Sequence, residues 1–413
     1  MLNVSAEGLP GLPPDLISAL VSQFKGTGRL AVVGGVVRDA LLYHLHQAPL
    51  QELHDLDLVL EGSCRDFACD LQKAFGLERV TDLGLHEQFG TAELAMDGLL
   101  IDLAQARTET YPAPGQNPVV QFGSLERDLA RRDFTVNAMA MVLQSDGSQL
   151  LLDPHDGQKH LAMRQLAFLH DGSVADDPTR VFRGARYCAR LGFRFTPEAL
   201  RQLQDTVRAW PWAWRSGEPV DAVPPALGTR LRMELELLLD REPWSEALSL
   251  LQEWSALPLL DAGLQSEVSL SRRLRWAHRL GIPLLAALVS AASDPRELAL
   301  RLQIPHQQQL WLEELIAFRR WQALEVQPRT WAEWGALEWT RCLEQNRWSE
   351  HAVALAVCEM LPCWRPLLRW WGRWRHVSSP ITAQELIAQG MRPGPELGQT
   401  LRSLREQSLA QMR

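Results

Sequence analysis

The sequence lacks the features that mark membrane-spanning, exported and disulfide-stabilised proteins. None of its apolar runs is long enough to span a bilayer. The first residues, MLNVSAEGLPGLPPDL, carry neither a basic segment nor an apolar signal core, so export is not expected. The six cysteines form no C-x-x-C pair and show no zinc-type spacing. We therefore expect a cytoplasmic protein whose thiols are reduced and mostly buried.

An excess of positive charge is also missing, because the formal net charge is −8. At first sight this argues against a nucleic-acid partner, but net charge does not describe the field at a local site. Arginines gathered on one surface can bind RNA even on an acidic protein. The length of 413 residues predicts about two to four domains. An apolar content of 46% and a charged content of 22% are ordinary for a globular protein.

A glycine pair and two aspartates lie in the stretch of residues 33–58. Gly34 and Gly35 follow an apolar run and open a helix-like segment, and Asp55 and Asp57 head a second apolar run. The pattern predicts a strand, a glycine turn, a helix and another strand. Because side chains alternate across a strand, both aspartates face the same side and can bind Mg²⁺. The glycine turn, the helix start and Arg38 predict a phosphate site beside them, as nucleotidyl transfer requires.

Each of these features has an ordinary explanation when it stands alone. A glycine pair is common, and two aspartates on a strand often mark a solvated face. The combination GGxVRD followed by DLD is far more specific, and with it the chain resembles the polymerase-β-type nucleotidyltransferases. Within that group it is similar to the class II tRNA nucleotidyltransferases (CCA-adding enzymes) and the bacterial poly(A) polymerases.

The resemblance implies a fold and a division into domains. We expect an α+β head with the antiparallel sheet of the nucleotidyltransferase fold, followed by an all-α neck, body and tail. The expected boundaries are 1–150 for the head, 151–240 for a helical neck with the nucleotide-selecting motif, 241–345 for the body, and 346–413 for a tRNA-binding tail.

A second motif, RRDFTVNA, lies within residues 125–140 and matches the family's RRDFTxNA almost letter for letter. Arginine donates two parallel hydrogen bonds to phosphate oxygens. By resemblance, Arg132 contacts the incoming nucleotide and Asn137 contacts its ribose. A solvated helix end with an Arg–Asp pair is the ordinary alternative.

Two features between these motifs keep alternatives open. Residues 108–123 are rich in proline and glycine and are predicted to form a loop. That loop is either an exposed connection or, by resemblance, the mobile loop that influences nucleotide choice. Asp102 alternates with apolar residues on a predicted strand. It is either a local structural carboxylate, which we favour, or a third acidic group near the metal site.

Five arginines recur along a helix that is predicted to start at Asp176-Asp177-Pro178 and to end near Gly192. Their spacing places them within a sector of about 120° on one helix face: Arg180, Arg183, Arg186, Arg190 and Arg194, the last of which falls beyond the helix end. Because no acid is interleaved and like charges repel at this spacing, we expect phosphates of a nucleotide or of RNA to compensate them. Gly184 in the helix interior predicts close packing.

This helix resembles the family motif EDxxRxxRAxRF. The resemblance implies that Asp177 and Arg180 read the Watson–Crick edge of the incoming base, and that Arg183 and Arg186 hold the triphosphate. The chemistry agrees, since a carboxylate accepts from the amino group of C or A and a guanidinium donates to the neighbouring ring acceptor. U and G present an N–H at that acceptor position.

A third stretch, residues 227–239, resembles the family's neck motif ERxxxEL, with Thr229 in place of the glutamate. Arg230 and Glu234 are four residues apart within it. We interpret them as a surface ion pair on one helix.

The predicted activity is that of a CCA tRNA nucleotidyltransferase, which adds CMP and AMP from CTP and ATP to tRNA 3′ ends. Asp55 and Asp57 would hold Mg²⁺ as the cofactor, and pyrophosphate would leave. The alternatives are an enzyme that adds only CC or only A, and a poly(A) polymerase, because these enzymes share the motifs. An RNA-binding module without catalysis is disfavoured by the intact Asp55 and Asp57.

Overall fold

The computed structural model of the protein describes residues 10–13, 15–26, 28–50, 52–86, 90–326 and 331–412. The chain divides into two compact units. Unit 1 takes residues 1–214, 224–234 and 240–256, and unit 2 takes residues 215–223, 235–239 and 257–413. The expected boundaries of head, neck, body and tail stay a prediction.

The helices of the first part of the chain are α1 (Leu16–Gln23), α2 (Gly35–His46), α3 (Cys64–Arg79), α4 (Leu125–Ala130), α5 (Gly157–Ala162), α6 (Ser173–Asp176), α7 (Thr179–Leu191), α8 (Pro197–Ala209), α9 (Thr229–Arg241) and α10 (Trp244–Glu253). Those of the second part are α11 (Ala262–Ser266), α12 (Leu270–Arg279), α13 (Leu284–Val289), α14 (Pro295–Arg301), α15 (His306–Trp321), α16 (Ala336–Gln345), α17 (Glu350–Cys358), α18 (Trp364–Gly372), α19 (Ala383–Ala388) and α20 (Pro395–Ala410).

The strands described in the chain all lie in unit 1. They are β1 (Leu30–Val33), β2 (Asp55–Leu60), β3 (Val80–His86), β4 (Thr91–Met96), β5 (Leu99–Gln105), β6 (Arg107–Thr110), β7 (Val119–Phe122), β8 (Ala140–Leu143), β9 (Gln149–Leu152), β10 (Gln165–Leu166) and β11 (Arg194–Phe195). An α+β head and a helical remainder, as predicted, are therefore confirmed.

Seven strands form one sheet, in the order β3-β4-β5-β2-β1-β8-β9. Neighbours in it run antiparallel, except that β2 and β5 are parallel. The sheet is thus mixed where a purely antiparallel one was expected. The reason is the connection from β2 through α3, which returns the chain in its starting direction before β3, β4 and β5 alternate.

Burial in the central strands decides which way the two aspartates point. All four residues of β1 are buried. In β2, Leu56 is buried whereas Asp55 and Asp57 are exposed. A slip of one residue would exchange the two faces, and burying one leucine side chain is worth roughly 1.5–3 kcal/mol. The aspartates therefore share the exposed face of the strand, as the alternation predicts.

Two turns show how well the local sequence signals work. Asp97 and Gly98 join β4 to β5 with φ values of +52° and +85°, and an Asp-Gly pair favours such a hairpin turn, in which both residues have positive φ. The loop predicted at residues 108–123 is wrong at its ends, because β6 and β7 pair antiparallel as a two-stranded ribbon. Threonines and valines at those ends favour strands, and the prolines are confined to the connection between them.

Helix α7 ends at Gly192, whose φ is +66°, so Arg194 falls beyond it in β11 as expected. A Cβ on Gly184 would lie 2.4 Å from the Phe195 ring and 3.2 Å from the Phe134 ring. Close packing at Gly184 is therefore confirmed, since the two phenylalanines reach the helix only where a side chain is missing.

Two further observations concern membrane-spanning helices and the cysteines. None of the described helices is long and apolar enough to cross a membrane. All six cysteines are free thiols, and four of them are buried. Burial raises the pKa of the Cys64 and Cys188 thiols to about 12, so both are protonated at neutral pH.

Candidate active site

The site begins where the glycine turn meets the aspartate strand. Gly34 has a φ of +77° and precedes the first residue of α2, Gly35. A Cβ at Gly34 would come within 2.9 Å of Asp57 Oδ2, so only glycine allows this approach. The free N–H groups at the start of α2 therefore lie beside the exposed carboxylates of β2.

Several carboxylates crowd this end of the sheet. Although Asp57 lies on the exposed face of β2, partial desolvation of its carboxylate, followed by repulsion from Asp55 and Asp102, raises its pKa, and Arg132 opposes the shift. Asp102 lies opposite Asp57 in the parallel register of β2 and β5. Burial and then Glu93 and Asp55 raise the pKa of Asp102 in turn. A bound cation would relieve this repulsion.

The carboxylates fit a divalent ion held by two aspartates. Hard carboxylate oxygens with space left for water and phosphate suit such an ion. Among the described residues, no group of three or more Asp, Glu, His or Cys side chains is arranged to hold a metal. Asp55 and Asp57 on the exposed face of β2 could supply two carboxylate ligands, and the charge of Asp102 contributes to the raised pKa of Asp57.

A cavity of about 560 Å³ opens beside Asp57 within unit 1. Nine of the residues that the sequence singled out line it: Gly34, Gly35, Arg38, Asp57, Arg132, Asn137, Asp177, Arg180 and Arg183. Asp55 lines a smaller adjoining cavity of about 220 Å³, which Gly35 and Asp57 also line. Arg186 lies outside both walls. The structure thus gathers most of the predicted site into one space.

Arg38 and Asn137 hold each other within the cavity wall. The buried Arg38 donates from Nη1 to Asn137 Oδ1 at 3.0 Å and pairs through Nε with Asp39 at 2.8 Å. Asn137 in turn donates to Asp133 Oδ1 at 3.1 Å. Burial alone would lower the pKa of Arg38, but Asp39 keeps it above its usual range. This chain ties α2 to the RRD motif and fixes the orientation of both side chains.

The two arginines of the RRD motif differ in their hydrogen bonds. The fully buried carboxylate of Asp128 accepts from Arg131 at 2.8 Å and from Arg132 Nη2 at 3.1 Å. Arg132 Nε is buried and has no hydrogen-bond partner among the described residues. The alternative of a solvated helix end is therefore wrong. Arg131 is bound within the fold, whereas Arg132 keeps a donor next to Asp57.

The arginine face of α7 is compensated largely by protein carboxylates. Glu234 accepts from Arg183 Nη2 at 2.9 Å and from Arg186 at 2.5 Å. Glu242 pairs with Arg186 and Arg190, each at 3.3 Å. The expectation that nucleotide or RNA phosphates balance this stripe is wrong for these three arginines, because acids from α9 and its C-terminal end face them. The pairing of Arg186 explains why it lies outside the cavity.

The proposed base-reading pair lines the cavity from the start of α7. Asp177 has 4% of its side chain exposed, and its Oδ1 accepts from Thr179 Oγ1 at 2.6 Å. Arg180 is buried and donates to the carbonyl oxygens of Arg131 at 3.1 Å and of Ser173 at 3.4 Å. Both side chains are therefore held before any ligand arrives.

Sequence reasoning missed several residues of the cavity wall, among them Arg230, Glu109 and Tyr111. Arg230 and Glu234, expected as a surface pair with each other, bind Asp177 and the α7 arginines instead. Glu109 and Tyr111 enter from the ribbon, where the Tyr111 hydroxyl donates to Glu109 at 3.3 Å. The resemblance of residues 227–239 to a family motif was the signal that Arg230 belongs to the site. No periodic pattern marked Glu109 or Tyr111.

Comparison with known proteins identifies the family of this chain. The family described as the poly A polymerase head domain matches residues 30–167. A CC-adding tRNA nucleotidyltransferase from Deinococcus radiodurans is 34% identical over 387 residues, which cover 91% of this chain and 83% of that protein. An A-adding tRNA nucleotidyltransferase from Aquifex aeolicus is 33% identical over 57% of this chain, but the match spans only 26% of that protein.

Solved structures agree on the fold. An apo form of a CCA-adding enzyme superposes with a TM-score of 0.71 at 22% identity, covering 97% of this chain and 93% of the other. A Thermotoga maritima CCA-adding enzyme in complex with tRNA gives a TM-score of 0.69 at 22% identity, covering 98% and 93%. At this level of identity the likeness establishes the architecture alone.

Proposed function

The chain belongs to the class II tRNA nucleotidyltransferase family, and from that premise we propose that it adds CMP and AMP, from CTP and ATP, to the 3′ ends of tRNA. One observation carries the proposal. Asp57, the glycine turn and the pair Asp177 and Arg180 line a single cavity of about 560 Å³. A nucleoside triphosphate lying there reaches the carboxylates with its phosphates and the pair with its base.

Members of this family use a divalent metal ion, and we infer that here it is Mg²⁺ held by Asp55 and Asp57. When bound, Mg²⁺ supplies Lewis-acid activation of the tRNA 3′ hydroxyl and neutralises charge on the triphosphate. The 3′ hydroxyl would lose its proton to solvent and its oxygen would attack the α-phosphorus, while the bond from that phosphorus to the oxygen bridging to the β-phosphorus breaks and pyrophosphate leaves with that oxygen.

The phosphates would be bound by the protein at two places. The N–H groups at the start of α2 would donate to phosphate oxygens, and the missing side chain of Gly34 lets this turn lie close to Asp57. Arg132 lines the same cavity as Asp57, so its guanidinium would donate to a phosphate oxygen there. Both contacts would bind the triphosphate and leave the base free.

The base would be chosen by side chains. The carboxylate of Asp177 accepts from the amino group shared by C and A, and Arg180 donates to the adjacent ring nitrogen. With U or G the same groups face a carbonyl and an N–H, so like groups meet and a buried donor loses its acceptor. A matched pair of contacts of this kind is worth about 1–3 kcal/mol of discrimination.

A second candidate, addition of CC alone, is favoured by one observation. The Deinococcus radiodurans relative, of which this chain covers 83%, is a CC-adding enzyme. The groups that read C also accept A, so the carboxylate and guanidinium do not separate the two activities. Only the product distinguishes them.

The test uses purified full-length protein with Mg²⁺ and labelled CTP or ATP. Its substrates are a tRNA without CCA, the same tRNA ending in CC, and an unrelated RNA. Addition of CCA to the first and A to the second supports the main proposal. Addition of CC that stops before A selects the second candidate. Tails on the unrelated RNA, or no addition to any substrate, refute both, and an Asp57→Ala variant controls for contaminating enzymes.

A further inference from the structure

Arg230 contacts the proposed base-reading carboxylate, although the sequence placed it on the surface. It is the second residue of α9 and lines the nucleotide cavity. We propose that Arg230 determines base selectivity as a positioning residue, by fixing the second oxygen of Asp177. This inference rests on the proposed function and assigns a role within its nucleotide site.

The two oxygens of Asp177 are held from different elements. Oδ1 accepts from the backbone N–H of Thr179 at 3.1 Å and from its Oγ1 at 2.6 Å, both in the first turn of α7. Oδ2 accepts from Arg230 Nη2 at 2.6 Å. Without Arg230 the contacts to Thr179 still hold one oxygen, but the carboxylate plane is free to turn about it. Arg230 therefore sets the direction in which Oδ2 presents its remaining lone pair to the cavity.

Arg180, the arginine of the base-reading pair, does not fix the orientation of Asp177. Arg180 donates through Nη1 and Nη2 to the carbonyl oxygens of Ser173 and Arg131. A carboxylate with only 4% of its side chain exposed is usually paired with a cation. Within the described chain, Arg230 is the cation that donates to Asp177.

Arg230 is also held at a cost that stability alone does not explain. Its Nη1 is buried without a hydrogen-bond partner among the described residues. A buried unpaired donor is unfavourable and needs an explanation. The alternative is that Arg230 merely ties the start of α7 to α9 as a structural bridge.

Base selectivity separates these two roles. A turned carboxylate aims its lone pair away from the amino group of C, so the rate with CTP falls. It also relieves the repulsion between the carboxylate and the O4 carbonyl of U, so the rate with UTP rises relative to CTP. A structural bridge, once broken, lowers the amount of active enzyme and both rates together.

The experiment measures kcat/KM for CTP and for UTP on the same preparation of full-length protein, with a tRNA lacking CCA. Arg230→Met removes the guanidinium, and Arg230→Lys keeps the charge without the fork. We expect the CTP-to-UTP ratio to fall about tenfold or more in Arg230→Met. We expect an intermediate ratio in Arg230→Lys and an unchanged KM for tRNA. The control is Arg241→Gln, an exposed arginine at the end of the same helix, which should leave the ratio unchanged.

A double mutant completes the test. Asp177→Asn should lower the same ratio, and adding Arg230→Met to it should change the ratio by less than about twofold, because the two residues act through one contact. An unchanged CTP-to-UTP ratio in Arg230→Met overturns the inference, even if overall turnover falls. Partial unfolding does not obscure the result, since both rates come from the same active fraction. A wild-type protein that adds no nucleotide to tRNA would instead refute the proposed function.

Discussion

Gly34 and Asp57 approach so closely that a methyl group on the glycine would lie 2.9 Å from the Oδ2 of the aspartate. The contact joins the turn that offers N–H groups to the strand that offers carboxylates. It also explains the positive φ of +77° at Gly34, which turns the backbone toward β2. The two halves of the candidate active site therefore depend on one residue without a side chain.

Gly34→Ala should therefore lower activity more than it lowers stability. The new Cβ displaces Asp57 Oδ2, and a misplacement of catalytic groups by about 1 Å costs about 100-fold in rate. The positive φ adds a strain of about 1–3 kcal/mol. Measurements of kcat and of urea unfolding separate the two effects.

Gly147→Ala is the matched control for this change. Gly147 has a similar φ of +83°, but a Cβ there would meet nothing within 4 Å. Its variant should share the loss of stability and keep wild-type kcat. Equal kcat in the two variants would show that the close approach of Gly34 to Asp57 has no bearing on catalysis.

Asp57→Asn should abolish activity while it stabilises the metal-free protein at neutral pH. The pKa of Asp57 is raised by burial and by its acidic neighbours, so its protonated form favours the folded state. That stabilising contribution is present at acid pH and is lost as the pH rises through the raised pKa. An uncharged amide removes the repulsion but also a metal ligand, and kcat should fall roughly a thousandfold.

Thermal melts with and without Mg²⁺ check this prediction. Mg²⁺ should raise the melting temperature of the wild type, and more so at higher pH, where Asp57 is ionised. The rise should vanish in Asp57→Asn and persist in Asp70→Asn, which changes an exposed acid on α3. A metal-dependent rise of equal size in Asp57→Asn would place the metal elsewhere.

The sequence was sufficient for the parts of the site that local periodicity determines. Alternation along β2 placed Asp55 and Asp57 on one face, and the glycines placed the start of α2 beside them. The end of α7 near Gly192 followed from the glycine alone. In each case a few adjacent residues determine the geometry, so no long-range contact is needed to predict it.

The sequence was not sufficient for pairings between distant segments. The arginines of α7 looked uncompensated because their acids lie about 50 positions later in the chain, Arg183 and Glu234 being separated by 51 residues. Spacing of four residues suggested a pair of Arg230 with Glu234, but tertiary contacts gave each a stronger partner. Which charges meet is decided by where the fold brings the side chains of α9 relative to those of α7, and one sequence carries no direct signal for that.

Gly184→Ala should destabilise the protein, although alanine is the better helix former by about 1 kcal/mol. The added methyl group would lie 2.4 Å from the Phe195 ring, and overpacking of this kind costs about 1–3 kcal/mol. Urea unfolding measures the difference. Gly398→Ala within α20 is the control, because nothing lies within 4 Å of its Cβ and it should gain stability. A stabilised Gly184→Ala variant would contradict the close packing of α7 against Phe134 and Phe195.

Glu234→Gln should be among the most destabilising single changes to a charged residue in unit 1. Its carboxylate accepts from Arg183 and Arg186, and only 11% of the side chain is exposed. Removing one partner from a buried ion pair costs about 3–5 kcal/mol when the other charge is left alone, and less is expected here because Asp133 and Glu242 still pair with the two arginines. For Arg183, burial alone would lower the pKa, but Asp133 and Glu234 keep it above its usual range, and only Asp133 remains to do so after the change.

The contrast is Glu198→Gln, whose partner Arg201 lies on the same helix and where both side chains are mostly exposed. A pair of that kind contributes about 0–1 kcal/mol, so unfolding by urea should barely shift. Losses of equal size in the two variants would mean that the α7 arginines are not balanced by Glu234. The compensating anion would then have to come from the ligand after all, as the spacing of the arginines alone suggests.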